Sequence, residues 1–344
     1  MKMMKLLLGL LNETLRLNFK AKTQPVSLYD PVMQLNTSFQ ALTKAGLAKD
    51  YFSLKQQPLL EVGSQQFSLQ NAWCLAELSR LVYRQESDEL GDDFDGLTRQ
   101  TVLQQAGMRE IAALKNDQVS SFAMLVAAQT IDQKPCTVLA FRGSNEFEDW
   151  RNNFMLYQTK AFDGGMVHAG FMRALRAIWK DLRILLREQQ GPLYITGHSL
   201  GAALATLATA QLLRKGHAVE ACYVFGSPRT GDQRFTRSFN NMPFFRVENA
   251  SDFVTSVPLD IAQVKYSAAG ECYYFDHDGE LHYKTTQQLI TQDRKLNGWR
   301  VPDLKSFTDW AYRLKSMSDK LPLMLSGHAP ANYVARLQNS LDRT

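Results

Sequence analysis

One serine of this chain stands between two glycines, in the pentapeptide Gly197-His198-Ser199-Leu200-Gly201. A serine hydroxyl is a poor nucleophile at neutral pH, so it needs a base, a group that orients the base, and donors for the developing oxyanion. Glycines on both sides remove the Cβ atoms that would collide in a sharp turn from a strand into a helix. The motif therefore predicts a serine nucleophile, and a serine in an ordinary tight turn is the alternative.

The flanking residues predict the strand and the helix that such a turn joins. The run LYIT at 193–196 is typical of a buried strand, and residues 200–215 have a helical pattern. Ala202, Ala203 and Ala205 keep the helix small enough to pack close to a sheet. The free N–H groups at the start of this helix would point towards the reacting oxygen. The serine thus has the strand–turn–helix setting that a nucleophile requires.

The general base should be one of six histidines. Where a Gly-x-Ser-x-Gly turn of this kind carries the nucleophile, the chain order is nucleophile, acid, histidine, so the base should come late in the chain. His328, in a loop just before a helical run, is the first candidate, and His282 is the alternative. His198 adjoins Ser199 and cannot easily fold back onto it.

The other histidines have structural interpretations. We expect His168 to make a structural hydrogen bond and His217 to cap the end of the helix that follows the serine. His277 and His282 flank an Asp-Gly turn, which predicts a hairpin. A metal pair in this hairpin is an alternative that we do not favour, and we expect neither a metal nor a cofactor.

The acid should follow a strand at the carboxyl edge of the sheet. The segment FFRVENASDFVTSVP puts Asp252 just after a β-rich run, at the edge where open α/β sheets gather their sites. A buried carboxylate at this point would fix the imidazole tautomer and stabilise its positive charge. Asp260 and Asp276 are competing candidates, and a helix cap is the structural alternative for Asp252.

The oxyanion needs two backbone donors. The N–H of Leu200, directly after the nucleophile, should be one of them. Ser144, in TVLAFRGSNEFEDW after an earlier strand, should supply the second donor and, through its hydroxyl, a third hydrogen bond. An ordinary Gly-Ser turn is the structural alternative for Ser144.

Five segments of the chain occur in a familiar order: AFRGSNEFEDW, VHAGF, ITGHSLGAALATL, VFGSPRTGDQRF and RVENASDFVTSVP. In this order they resemble class 3 lipases, the fungal-lipase-like branch of the α/β-hydrolases, over roughly residues 68–340. The resemblance implies a serine ester hydrolase of acylglycerols or related lipids that works through an acyl-enzyme. It also implies the following site residues: a triad of Ser199, Asp252 and His328, and oxyanion donors at Ser144 and Leu200.

The segment after Ser144, NEFEDWRNNFMLY, resembles the helical lid of this family. The resemblance implies that four apolar residues shield the site until it meets lipid, and an ordinary packed helix is the alternative. These lid residues are Phe147, Trp150, Phe154 and Met155.

The chain departs from the family pattern at two points. The motif reads SLGAAL where the family more often has SLGGAL, a small change at Ala202 that leaves the nucleophile intact. The interval from Asp252 to His328 is 76 residues, longer than in compact members. It contains a predicted helical insertion at about 285–325, which makes the assignment of the base less direct than that of the nucleophile.

Three rival functions stay open. A phospholipase A1 and a soluble short-chain carboxylesterase would use the same site chemistry on other esters. A non-catalytic binding protein with a hydrolase fold belongs to a different class, and its signature would be the loss of a triad residue. Candidates for all three triad roles are present in the sequence.

The pattern of elements predicts one α/β domain at 67–344 after an N-terminal extension at 1–66. Strands that alternate with helices imply a mostly parallel central sheet with helices on both faces, and hairpin-linked early strands imply an antiparallel first part. The extension begins with an amphipathic helix that packs on the domain or, alternatively, lies on a membrane or forms a cleaved signal. The acidic loop at 86–96 lacks the ligand spacing of a calcium site.

Composition narrows the function classes. The chain has 344 residues, of which 45% are hydrophobic and 21% charged, with a net charge of +5. This mild balance argues against a nucleic-acid partner but is compatible with transient contact with an anionic lipid surface. The four cysteines are scattered, so we expect no disulfide framework. We expect a cytoplasmic or membrane-peripheral protein, with secretion lacking a recognisable signal as the alternative; the composition does not indicate an oligomeric state.

Overall fold

The computed structural model divides the chain into two compact units, Met1–Gln34 and Leu35–Thr344. The structure describes residues 29–30, 33–34, 51–52, 58–84, 98–143, 157–161, 164–260, 263–296 and 327–344. In the first unit, the described strands β1 (Tyr29–Asp30) and β2 (Met33–Gln34) pair in the antiparallel sense. The predicted N-terminal helix and the acidic loop at 86–96 lie outside the described residues.

Ten further strands belong to the second unit: β3 (Arg109–Asn116), β4 (Ser121–Gln129), β5 (Pro135–Phe141), β6 (Gln158–Lys160), β7 (Met166–His168), β8 (Leu193–His198), β9 (Ala221–Phe225), β10 (Phe244–Asn249), β11 (Glu271–Phe275) and β12 (Leu281–His282). Eight of them form one sheet in the order β12-β11-β10-β9-β8-β5-β4-β3, and β6 pairs separately with β7. The five neighbours from β11 to β5 are mutually parallel. At the ends of the sheet, β3, β4 and β12 pair in the antiparallel sense. The predicted α/β-hydrolase architecture is confirmed.

The described helices are α1 (Leu69–Leu81), α2 (Arg99–Gln105), α3 (Ala169–Arg187), α4 (Leu200–Arg214), α5 (Gln233–Thr236), α6 (Gln287–Leu296) and α7 (Pro330–Asp342). Ser68 caps α1, since its hydroxyl accepts a hydrogen bond from the N–H of Asn71 at 3.1 Å. None of the described helices is both long enough and apolar enough to cross a membrane.

Two hydrophobic cores cover the two faces of the sheet. Along β9, Tyr223 and Phe225 join the core that includes α1 and α7, whereas Cys222 and Val224 join the core built with α3 and α4. This alternation follows from the two-residue repeat of a strand. Because both faces are covered, the central strands are buried on both sides and rich in apolar residues, as is typical of parallel sheets. Cys222 is thus a fully buried core residue.

The segment just before α1 is part of the second unit and contacts its sheet. The N–H of Leu60 donates to the carbonyl of Gln129, and the carbonyl of Leu60 accepts from Ile131, at 3.1 and 2.9 Å. The side chain of Leu60 is fully buried. The domain boundary at residue 66 therefore stays a prediction, although residues 58–66 share contacts with the sheet.

Candidate active site

Ser199 occupies a sharp turn between β8 and α4. Its backbone has φ 59° and ψ −128°, a conformation that costs a residue with a side chain about 1–3 kcal/mol. The turn is held because the Ser199 N–H donates to the carbonyl of Phe225 on β9 at 3.0 Å. A Cβ on Gly197 would overlap the carbonyl oxygen of Gly201, so the turn tolerates only glycine there. The local sequence thus folds into the sharp turn that the motif predicts. We call this strained turn at Ser199 the elbow.

Asp252 lies in the loop that follows β10 and is fully buried. Its Oδ1 atom accepts a hydrogen bond from the N–H of Val254 at 2.8 Å. Its Oδ2 atom lies 2.8 Å from Nδ1 of His328 and accepts a hydrogen bond from the hydroxyl of Tyr333 at 2.6 Å. Since a carboxylate only accepts, Nδ1 of His328 carries the proton of this pair.

His328 comes just before α7 and is 1% exposed. Its imidazole lies against Gly226, where an added Cβ would come within 3.0 Å of both Cε1 and Nδ1. Gly226 follows Phe225, whose carbonyl holds the amide of Ser199. The imidazole of His328 therefore lies beside the strand end that supports the elbow.

The electrostatics of the pair favour a charged acid. Burial by itself would raise the pKa of Asp252, but His328 and the hydrogen bonds from His328 and Tyr333 lower it below its usual value. Burial and the neighbouring Asp252 carboxylate raise the pKa of Tyr333 well above its usual value. The phenol therefore stays protonated, and it donates to an ionised carboxylate.

The competing candidates lie in other environments. Asp260 pairs with Arg229 at 3.3 Å and accepts from the N–H of Tyr266 at 3.0 Å. Oδ2 of Asp276 lies 2.6 Å from Nε2 of His282, so the two rival residues contact each other on the β11–β12 hairpin. The structure therefore brings Asp252 together with His328 and separates both from the alternatives.

Two tyrosines near the site were not identified by the sequence motifs, and the supporting contacts of His198 were not predicted although His198 lies in the motif. Nε2 of His198 donates to the carbonyl of His328 at 2.6 Å, because a carbonyl can only accept. Nδ1 of His198 then accepts from the hydroxyl of Tyr83 at 2.9 Å. Burial, and next the neighbouring His328, lower the pKa of His198 well below its usual value, which agrees with this neutral tautomer. Tyr83 and His198 thus hold the backbone of His328, while Tyr333 holds its acid.

The remaining histidines have structural contacts. Nδ1 of His168 accepts from the N–H of Phe171 at 3.3 Å, which is the structural hydrogen bond that we expect, and this bond caps α3. His277 lies on the predicted hairpin with its Nδ1 3.1 Å from Oδ2 of Asp293. Among the residues that the structure describes, no group of three or more His, Cys, Asp or Glu side chains could hold a metal ion.

The predicted oxyanion donors are described in part. Leu200 is the first residue of α4, so its N–H has no acceptor within the helix and stays available at the elbow. Ser144 lies outside the described residues. The four predicted lid residues, Phe147, Trp150, Phe154 and Met155, also lie outside them.

Comparison with known proteins finds relatives of part of this chain. The family model "Lipase (class 3)" matches residues 138–261. A secreted mono- and diacylglycerol lipase A of Penicillium cyclopium is 35% identical over 133 residues, which are 36% of this chain and 43% of the relative. Phospholipase A1-II 1 of Oryza sativa subsp. indica is 35% identical over 97 residues, 26% of this chain and 24% of the relative. The chain thus spans less than half the length of these curated relatives.

A solved structure extends the likeness in fold. The mono- and diacylglycerol lipase from Aspergillus oryzae superposes with a TM-score of 0.54 over 70% of this chain and 94% of that chain. The two chains are 21% identical, so this likeness concerns the fold alone. Residues 138–261 therefore match the class 3 lipase family model, within a chain that has the α/β-hydrolase fold.

Proposed function

We propose that the protein is a serine carboxylic ester hydrolase that acts on acylglycerols or related lipids through an acyl-enzyme on Ser199. The observation that carries the proposal is the strained elbow at Ser199 beside the buried pair of Asp252 and His328. A buried carboxylate with a shifted pKa that is paired with an imidazole is typical of catalytic sites.

The proposed reaction has two halves. In the first half, Nε2 of His328 takes the proton of the Ser199 hydroxyl while Oγ of Ser199 attacks the carbonyl carbon of the ester. The tetrahedral intermediate collapses when His328 returns that proton to the leaving alcohol, and the acyl group stays on Ser199. In the second half, His328 takes a proton from water, the hydroxide attacks the acyl carbon, and the fatty acid leaves as Ser199 regains its proton.

The remaining residues act on charge and geometry. Asp252 fixes the tautomer of His328 and stabilises the imidazolium that forms in both halves. The N–H of Leu200 is proposed to bind the oxyanion, together with Ser144. Loss of one such donor typically costs about 2.7–4 kcal/mol of transition-state stabilisation. This chemistry needs no metal, because the base and the oxyanion donors supply the activation.

The proposed lipid class rests on the names of the relatives, which suggest two different substrates. The Penicillium relative is called a mono- and diacylglycerol lipase and the rice relative a phospholipase A1. Acylglycerols are our first choice, with phosphoglycerides as the alternative. Initial rates on tributyrin, a long-chain triglyceride and phosphatidylcholine, measured with one enzyme preparation, separate the two. Hydrolysis confined to phosphatidylcholine would favour the phospholipase.

The lid, the insertion at 285–325 and contact with a lipid surface are further parts of the proposal. A lid formed by Phe147, Trp150, Phe154 and Met155 should make activity rise steeply once the substrate forms micelles. A chain-length series of esters, assayed below and above micelle formation, tests this. A rate that follows monomer concentration through that point would argue for an uncovered site. The cytoplasmic or membrane-peripheral location stays a prediction.

Replacement of Ser199 tests the reaction itself. Ser199→Ala should lower turnover of p-nitrophenyl esters by about 10⁶-fold, to near background. A fluorophosphonate probe should label the wild type and fail to label this variant. Ser340→Ala is a matched control, since this serine lies on α7 and donates to the carbonyl of Arg336. Wild-type protein that is folded but neither hydrolyses esters nor takes the label would favour a binding protein instead.

A further inference from the structure

Arg294 is a charged residue that the fold takes almost completely out of water. It lies on α6, and only 4% of its surface is exposed. Its neighbour Lys295 is exposed, so the burial of Arg294 is particular to this position. A buried guanidinium is costly unless its donors and its charge are matched. The partners of Arg294 therefore indicate what this burial achieves.

Its three nitrogens donate to acceptors on one short loop, residues 249–256. Nη2 donates to the carbonyl of Asp252 at 3.1 Å and to Oγ1 of Thr255 at 2.9 Å. Nη1 donates to Oγ of Ser256 at 2.8 Å, and Nε donates to the carbonyl of Ala250 at 3.2 Å. One side chain thus binds both ends and the middle of the loop that carries the proposed catalytic acid.

The charge of Arg294 is balanced from the strand that leads into the same loop. Nη2 lies 3.7 Å from Oε2 of Glu248 at the end of β10. Glu248 also pairs with Arg246 on the same strand, whose Nε lies 2.8 Å from Oε1. The guanidinium therefore has a carboxylate nearby in the interior, and a hydrogen bond from a charged donor is stronger than one from a neutral donor.

The loop needs such a partner because little regular structure holds it. Its one helical turn is the short 3₁₀ segment Val254–Ser256. An arginine presents five donors in a planar fork, whereas a lysine presents three on a single nitrogen. The pattern of contacts matches the fork and not a point charge.

We infer that Arg294 is a positioning residue for Asp252. Helix α6, in the predicted insertion, thereby completes the proposed active site by holding the loop at 249–256 that carries Asp252. The inference rests on the proposed hydrolase function. Arg294 acts through the backbone of Asp252 and through Thr255, which itself donates to the carbonyl of Asp252 at 3.1 Å. Oδ2 of Asp252 is in this way kept in line with Nδ1 of His328.

Replacement of Arg294 should lower turnover, because Arg294 holds the loop that carries Asp252. A shift of about 1 Å in a catalytic group costs up to about 100-fold, so we expect Arg294→Met to lower kcat by about 10- to 100-fold with a smaller effect on KM. Arg294→Lys should recover part of this loss. Lys295→Met, on the exposed side of the same helix, is the matched control and should keep wild-type turnover.

A double-variant comparison separates positioning from a general structural role. In an Asp252→Ala background, Arg294→Met should lower kcat by less than about threefold, because residues that act as a unit are not additive. The same loss in both backgrounds would overturn the inference. If Arg294→Met does not fold, Ser256→Ala removes one of its hydrogen bonds and should give a smaller loss with the same dependence on Asp252.

A spectroscopic readout keeps the inference testable apart from activity. With ¹⁵N-labelled histidine, the proton on Nδ1 of His328 reports its hydrogen bond to Asp252. We expect this resonance to shift or broaden in Arg294→Met and to stay unchanged in Lys295→Met. An unchanged resonance in a folded Arg294→Met protein would overturn the positioning role. Absence of ester hydrolysis in the wild type would instead overturn the proposed function, and the resonance would still decide the role of Arg294.

Discussion

Nδ1 of His328 lies 2.8 Å from Oδ2 of Asp252, although 76 residues separate them in the chain. Both side chains are buried, so their pairing depends on the whole fold and not on local sequence. If Asp252 orients His328 as the base of a triad, the direction of the hydrogen bond between them should matter more than the shape of the Asp252 side chain.

Asp252→Asn should test that polarity. The amide is similar in shape but can donate where the carboxylate only accepts, so the wrong imidazole tautomer is favoured and kcat should fall about 10⁴-fold. The rate on a soluble ester and the melting curve of the variant measure the effect. Asp276→Asn is the control, because Asp276 contacts His282 and should leave turnover unchanged. The reverse pattern would move the catalytic acid to the hairpin.

Tyr333→Phe should reveal the part played by the phenol that donates to Asp252. Loss of a hydrogen bond to a charged group costs about 1.5–3 kcal/mol of stability, and we also expect kcat to fall about tenfold or less. Tyr274→Phe is a matched control, since Tyr274 is a buried tyrosine that donates to Asp293 at 2.6 Å. It should show a similar stability loss with normal turnover. Equal activity of both variants would limit Tyr333 to a structural role.

Acid should remove the stability that ionised Asp252 contributes. Burial opposes ionisation, but the contacts with His328 and Tyr333 leave the pKa of Asp252 below its usual value. A carboxyl with a lowered native pKa stabilises the fold above its unfolded pKa of about 3.9, and this contribution is lost as the pH falls through the native pKa. The difference in free energy of unfolding between wild type and Asp252→Ala should therefore be constant near neutral pH and shrink below about pH 4. A difference that grows in acid would contradict the lowered pKa.

Ser199 should be a site where function opposes stability. Its positive φ costs about 1–3 kcal/mol for a residue with a Cβ, whereas glycine adopts it freely at an entropic cost of about 0.5–1 kcal/mol. Ser199→Gly should therefore have a free energy of unfolding about 1 kcal/mol above that of Ser199→Ala. Both variants lack the nucleophile, so urea unfolding compares them without interference from turnover. Equal midpoints would mean that the elbow stores no strain.

Local pattern was sufficient for the elbow and for the main elements of the sheet. Gly197 and Gly201 mark the turn because a Cβ at either point collides with backbone a few residues away or on the next strand. The apolar strands and the small helix after Ser199 follow from the same short-range sterics. The chain order of nucleophile, acid and histidine then selects Asp252 and His328 as candidates, whose catalytic roles stay a prediction.

Long-range packing supplied what no motif carries. Four side chains from separate elements support Asp252 and His328. They are Tyr83 just after α1, His198 at the elbow, Arg294 on α6 and Tyr333 on α7. No spacing signals these contacts, because a tyrosine or an arginine in an amphipathic helix has the same pattern whether it faces a core, a partner or water. Residue types and short spacing thus sufficed for the turn at Ser199 and for the fold class, and the role of Ser199 as nucleophile stays a prediction. The buried hydrogen bonds that orient Asp252 and His328 form only once the helices have packed on the sheet. Burial removes water from these groups, which makes each bond stronger and makes an unpaired group costly.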